Sequence, residues 1–221
     1  MENIITLNLN NIKAAIFDMD GTMVDNGPFH KKAWKQFLQK HGLVFTEDIF
    51  RTQLFGKKNN ESLNLLFGKL TDKAIEIYAE EKEQIYRDLY KSHVKEVAGL
   101  SEFIQRLKKR GLKVAVATTA PKKNRDFVLK MLHLQNTFDV ILGDENVLHG
   151  KPNPEIYLST AKQLNIQPKN CAVFEDSSMG IKAGKNAGMT VVRIAINSAV
   201  EMPEIADYSV IDFTHINLFK V

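Results

Sequence analysis

Ala14-Ala15-Ile16-Phe17-Asp18-Met19-Asp20-Gly21-Thr22 is the stretch from which the fold is read. An apolar run of strand length stops at two aspartates one residue apart, and a glycine follows. Alternation along a strand sends Asp18 and Asp20 to the same side, and a strand end leaves its last residues near solvent. Two carboxylates held together repel, and destabilise the chain unless a cation or a proton separates them. Carboxylate and carbonyl oxygens are the ligands that Mg²⁺ prefers. The plainer reading is a strand running into an Asp-Gly turn, which any α/β protein uses.

The pattern recurs along the chain. Short apolar runs fall at 14–17, 114–117, 140–142, 172–174 and 191–194, with a weaker one at 208–211. Helical patterns lie between most of them, at about 101–110, 121–133, 155–165 and 178–187. Strands alternating with helices predict an α/β fold: a doubly wound, mainly parallel, Rossmann-like sheet with helices on both faces. Asn153-Pro154 reads as an N-cap followed by a first-position proline, and Gly188 as a helix stop. Residues 27–94 break the rhythm with several helical patterns and no strand-like run, the longest spanning about 72–92. The expectation is a catalytic core built from 1–26 and 95–221, and a small α-helical domain, 27–94, inserted after the first strand. The competing arrangement is one large mixed core with helices packed sideways.

With 221 residues, 44% hydrophobic and 25% charged, the chain has the composition of an ordinary globular protein. A net charge of +4 favours anionic ligands. The lysines are scattered, and the longest basic run, Lys108-Lys109-Arg110, sits at a helix end where cations suit the dipole; nucleic acid is not an expected partner. The single cysteine, Cys171, excludes an internal disulfide and reads as a small buried hydrophobe. The N-terminal residues Met1–Leu7 lack the basic start of a signal peptide, and no run approaches a membrane span. A cytoplasmic monomer with no membrane partner is the expectation.

Polar residues follow four of the apolar runs, where open parallel sheets bind ligands. They are Asp18 with Asp20; Thr118; Lys151, in Gly150-Lys151-Pro152-Asn153-Pro154; and the pair Glu175-Asp176. Singly, Thr118 reads first as a helix N-cap, while Lys151 reads equally as a loop lysine and Glu175-Asp176-Ser177 equally as a cap. Together, and in this order, they resemble the motif series of the haloacid dehalogenase superfamily of phosphohydrolases. The resemblance runs from Ala14 to about Ile194, and is closest at Lys151–Pro154 and from Glu175 to Gly188. It implies that Asp18 attacks phosphorus, that Asp20 acts as general acid and base, that Thr118 binds a phosphoryl oxygen, and that Lys151 neutralises charge. Backbone N–H groups near Met19 and Thr119 would add to the phosphate cradle. Mg²⁺ would be held by Asp18, the Asp20 carbonyl and Asp176, with Glu175 as an outer ligand. A carbon–halogen bond needs neither Asp20 nor magnesium, so Asp20 argues for a phosphate ester.

Within that superfamily the chain is most similar to the branch of β-phosphoglucomutase and the sugar-phosphate phosphatases. The insert then corresponds to a cap, and His30, Gly56, Lys57, Lys82 and Thr119 are expected substrate contacts. The departures from the mutases are specific. Phe55 and Asn59 stand in the cap loop where the mutases carry basic residues, and Ala120-Pro121 follows Thr118-Thr119 in place of a lysine. The resulting expectation is a Mg²⁺-dependent phosphatase acting on a small phosphorylated metabolite, a sugar phosphate, with a phosphosugar mutase as the alternative. A receiver-type signalling domain would be about half this length and lack the insert. A silent binding protein would have no use for the full set of chemical residues.

Overall fold

The computed structural model describes residues 4–196 and 206–219. Met1–Asn3 of the N-terminal segment read above, and 197–205 and 220–221 of the expected core, lie outside them. The chain divides into two compact units, one built from the segments up to Asp25 and from Lys95 onward, the other from Asn26 to Val94. The first unit begins with β1 (Ile5–Asn8) and β2 (Ala14–Phe17). The second contains α1 (Gly27–Lys40), α2 (Glu47–Ile49), which runs into a short π-helical turn at Phe50–Leu54, α3 (Asn59–Phe67) and α4 (Asp72–Tyr90). The chain then returns to the first unit with α5 (Leu100–Lys109), β3 (Lys113–Ala117), α6 (Lys122–Met131), β4 (Val140–Leu142), α7 (Glu155–Leu164), β5 (Cys171–Glu175), α8 (Ser178–Asn186), β6 (Thr190–Ile194), β7 (Tyr208–Val210) and β8 (Ile216–Phe219).

Six parallel strands form the main sheet, in the order β4-β3-β2-β5-β6-β7. β2 is central, and all four of its side chains are buried, as a strand covered on both faces requires. Its alternation divides the core. Ala14 and Ile16 join a cluster with Tyr157, Ala161 and Leu164 of α7 and Ile181 of α8. Phe17 points the other way and stacks on Phe174 at 4.8 Å. Phe103 of α5 and Phe213 complete that aromatic group, with ring centroids 5.3 Å and 5.9 Å from Phe174. By the same parity, Asp18 emerges on the face of Ile16, toward α7.

Two local features differ from the sequence reading. β1 and β8 form a separate two-stranded parallel sheet, which Ile5-Thr6-Leu7-Asn8 is too short and too polar to announce. In α7, Pro154 occupies the N-cap itself, and the Asn153 side chain accepts from the Glu155 amide at 3.0 Å; the capping oxygen is that of Asn153, as read, but the helix starts one residue later than the reading implies. Gly188 does end α8, with a positive φ of 73°.

The inserted unit has its own apolar centre of Trp34, Phe37, Leu38, Leu54 and Leu63, with Tyr78 and Ile85 of α4 packed against it. Thr71 caps α4 by accepting from the Ala74 amide.

Phe213 is fully buried against three aromatic rings. Phe213→Ala is expected to cost about 3–5 kcal/mol. Urea unfolding followed by far-UV circular dichroism should show the core transition at lower denaturant, whereas the fluorescence of Trp34, in the inserted unit, moves less.

Candidate active site

Three adjacent strands, β3, β2 and β5, bring their carboxyl ends together at the sheet edge. Asp18 follows β2 directly, its amide bonded to the Phe174 carbonyl at 3.0 Å, and is 6% exposed. Glu175 ends β5 and Asp176 follows it. Carboxylate oxygens of Asp18, Glu175 and Asp176 lie within 4.8 Å of one another. Lys151 enters from the segment before α7. Its ammonium donates to Asp18 Oδ1 at 2.6 Å and to Glu175 Oε1 at 2.6 Å, and lies 5.0 Å from the centre of the Tyr157 ring.

Glu175 is saturated by this arrangement. Oε1 also accepts from the Tyr157 hydroxyl at 3.0 Å, and Oε2 accepts from the Ser177 amide and hydroxyl at 2.9 and 3.1 Å. Gly180 allows it to sit there: a Cβ at that position would lie 1.6 Å from Glu175 Oε1. Asp176 is held differently, accepting at 3.3 Å from the Thr22 hydroxyl. Gly21 has a φ of +82°, and its Cβ would lie 2.1 Å from Asp176 Oδ2. Glycine is thus demanded at Gly21 both by backbone conformation and by the approach of a carboxylate.

Asp20 is half-buried next to this glycine, and its backbone pairs with Val24 across the turn. Thr118 is buried, and its Oγ1 accepts from the Ala120 amide at 3.1 Å. It does not cap α6, whose N-cap is Pro121; the hydroxyl makes a local turn beyond β3. Thr119 is exposed. Tyr157, Ser177 and Thr22 complete the site and were not singled out in sequence as site residues. Tyr157 falls among Ile156, Thr160, Ala161 and Leu164 on the buried side of α7, a spacing indistinguishable from ordinary core.

The electrostatics are unbalanced. Burial holds the Asp18 carboxyl well above the usual range; Lys151 opposes this, and Glu175 and Asp176 reinforce it. Asp176 is pushed up to about 7, first by burial and then by the charge of Glu175. Burial alone would lower Lys151, but Asp18 and Glu175 outweigh it and hold its ammonium above the ordinary value. Three carboxyls facing one ammonium leave an excess of negative charge. The donor set is all oxygen, suited to a hard divalent cation such as Mg²⁺. Asp18 and Asp176 have coordination capacity to offer it, whereas both oxygens of Glu175 are already engaged.

The remaining expected contacts lie in the inserted unit. Lys82 is 3% exposed, and its ammonium bonds to Glu83 Oε1 at 2.8 Å and His30 Nδ1 at 3.1 Å. His30 stacks on Tyr86 with centroids 3.8 Å apart. Asn59 donates to Glu83 Oε1 at 2.8 Å. Gly56 and Lys57 are exposed in the loop before α3, apart from this cluster's bonds.

A pH prediction follows from the acid cluster. Asp176 has a raised pKa in the fold, about 7 against an ordinary 3.8, so the native state holds more protons than the unfolded chain between those values. Stability from this group is present at low pH and lost as pH rises through that window. His30, lowered to about 3 first by burial and then by Lys82, acts in the opposite sense, so a variant difference isolates the cluster. In metal-free buffer, Asp176→Asn should gain thermal midpoint relative to wild type between about pH 5 and about pH 8. Adding Mg²⁺ should narrow the gap by stabilising the wild type. Parallel pH profiles for the two proteins would refute this.

A family model described as haloacid dehalogenase-like hydrolase matches residues 15–194. A phosphorylated carbohydrates phosphatase of Thermotoga maritima is 34% identical over 192 residues, covering 85% of this chain and 87% of that protein. A beta-phosphoglucomutase of Bacillus subtilis is 31% identical over 191 residues, covering 83% of each. The crystal structure of a family IA, variant 3 hydrolase from Entamoeba histolytica superposes with a TM-score of 0.84 at 30% identity, over 93% of this chain and 96% of that one.

Proposed function

Because this chain belongs to the haloacid dehalogenase-like hydrolases, we infer that it is a Mg²⁺-dependent phosphatase of a small phosphorylated metabolite, a sugar phosphate, working through an aspartyl-phosphate on Asp18. The observation that carries the reading is Lys151 bound to both Asp18 and Glu175. Lys151 holds Oδ1 of Asp18, which leaves Oδ2 to attack. As Oδ2 bonds to phosphorus, the bond from phosphorus to the sugar oxygen breaks, and Asp20 gives that oxygen a proton. Water then attacks the aspartyl-phosphate, Asp20 takes its proton, and inorganic phosphate leaves with Asp18 restored. Lys151 and the Thr118 hydroxyl stabilise the phosphoryl oxygens. Asp18, the Asp20 carbonyl and Asp176 would hold Mg²⁺, which when bound offsets negative charge between nucleophile and phosphate. Glu175, with its oxygens committed, serves to position Lys151. No described helix is long and apolar enough to cross a membrane.

Asp18→Asn keeps the shape and removes the nucleophilic charge. Its turnover of an aryl phosphate with Mg²⁺ should fall to background, with the circular dichroism of the wild type retained. A purified variant with wild-type turnover would remove Asp18 from the role.

The similarity to a beta-phosphoglucomutase favours a second reading, in which a sugar hydroxyl captures the phosphoryl group. Exposed Phe55, and Asn59 committed to Glu83, leave the cap loop without charges at those positions for a second phosphate. Each charged hydrogen bond to phosphate is worth roughly 1.5–3 kcal/mol, about tenfold or more in affinity. With β-glucose-1-phosphate and a bisphosphate primer, inorganic phosphate should exceed glucose-6-phosphate when both are measured in one reaction. A dominant glucose-6-phosphate yield would install the mutase reading instead.

A further inference from the structure

The inserted unit buries a lysine and then cancels it. The side chains of Lys82 and Glu83 are 4% and 6% exposed and lie 2.8 Å apart. A buried lone ammonium is costly, and a buried pair survives only where further hydrogen bonds complete it. Here His30 Nδ1 takes a second hydrogen bond from the ammonium, the Trp34 ring lies 5.0 Å from it, and Asn59 supplies a donor to Glu83.

These bonds fix the polarity of the two members that reach solvent. An ammonium only donates, so Nδ1 of His30 accepts and the ring proton is on Nε2. Glu83 is held at about 2 despite its burial, chiefly by Lys82. An ionised carboxylate only accepts, so Asn59 turns its amide nitrogen inward and its carbonyl oxygen away. His30 and Asn59 are each partly exposed. The cluster therefore offers one neutral N–H donor and one neutral C=O acceptor. Ser62 shares the face of α3 with Asn59, one turn on. Its hydroxyl is buried with no hydrogen-bond partner among the described residues.

We propose that Glu83 is a specificity-determining residue: by cancelling the charge of Lys82 it makes the cap cluster a reader of hydroxyl groups, through His30 and Asn59, and denies it an unpaired cation for a second phosphate. This rests on the phosphatase reading above and narrows it to monophosphates of polyhydroxylated molecules. A hydroxyl both donates and accepts, and so matches a donor–acceptor pair; a phosphate dianion is acceptor-only and meets a carbonyl oxygen unfavourably. Glu83→Gln keeps the shape and an acceptor for Lys82 but uncovers one positive charge. Lys82→Gln/Glu83→Gln removes both charges and restores neutrality.

The experiment measures kcat/KM for glucose-1-phosphate and for glucose-1,6-bisphosphate with wild type, the single variant and the double variant. The wild type should prefer the monophosphate. Glu83→Gln should shift the ratio of the two constants toward the bisphosphate by about tenfold or more, the scale of one charge-assisted contact. The double variant should return the ratio to within about threefold of wild type, a rescue that a purely structural role for Glu83 would not produce. If the single variant does not fold, the double variant still decides, since a ratio shifted toward the bisphosphate in that neutral protein overturns the assignment. A folded single variant with the wild-type ratio overturns it too, and leaves the phosphatase reading standing. A wild type that hydrolyses no phosphate ester with Mg²⁺ removes both.

Discussion

The bonds from Lys151 to Asp18 and Glu175 are the interaction on which the core depends. They join the ends of two adjacent central strands to the segment that precedes α7. Without that cation, Asp18, Glu175 and Asp176 would stand together as unscreened buried acids, and removing one partner of a buried ion pair costs about 3–5 kcal/mol. The sequence has been shaped to admit the pair. Gly180 makes room for Glu175, Tyr157 and Ser177 fill its remaining lone pairs, and Gly21 makes room for Asp176. Even so, one ammonium does not balance three carboxyls. An excess of negative charge on an all-oxygen donor set suits a divalent cation, and the Mg²⁺ proposed above would supply the missing positive charge.

Lys151 and Lys82 both have side chains largely withdrawn from solvent, to opposite ends. Lys151 is outnumbered by acids, and its surroundings stay negative. Lys82 is paired with an acid of its own, Glu83. The two clusters sit in different compact units, so the chemistry proposed for one and the selection proposed for the other are separable by mutation.

What was legible in the sequence was whatever strand ends make legible. Asp18, Thr118 and Glu175-Asp176 stand out because apolar runs stop abruptly at polar side chains, and a parallel sheet aligns such stops along one edge; Lys151, in the loop between β4 and α7, stands out through the Lys151-Pro152-Asn153-Pro154 motif. The alternation of runs gave the six-stranded parallel sheet, including its weak last strand at Tyr208–Val210. Tyr157 was hidden because a tyrosine on a buried helical stripe looks like core until its hydroxyl is located. Glu83 was hidden because adjacent residues on a helix point in different directions, so only coordinates show it bonded to Lys82 and Asn59. β1 and β8 escaped because each is four residues long and they pair across nearly the whole chain. The cap reading of Thr118 failed because a hydroxyl after a strand can satisfy a turn as readily as a helix.

The placement of β2 also constrains the order in which the molecule can be assembled. It is made early, at Ala14–Phe17, yet its two neighbours are Lys113–Ala117 and Cys171–Glu175. Residues 26–94 are continuous in sequence and hold an apolar centre of their own, so their loops are short and their closure entropy small. On a ribosome the helical insert is complete while β2 still waits for its neighbours, β3 coming about a hundred residues after it on one edge and β5 about a hundred and fifty after it on the other. The tether of β1 to β8 comes last, when both ends of the chain exist. Asp18, the proposed nucleophile, is therefore among the first residues synthesised and among the last to be fixed in place.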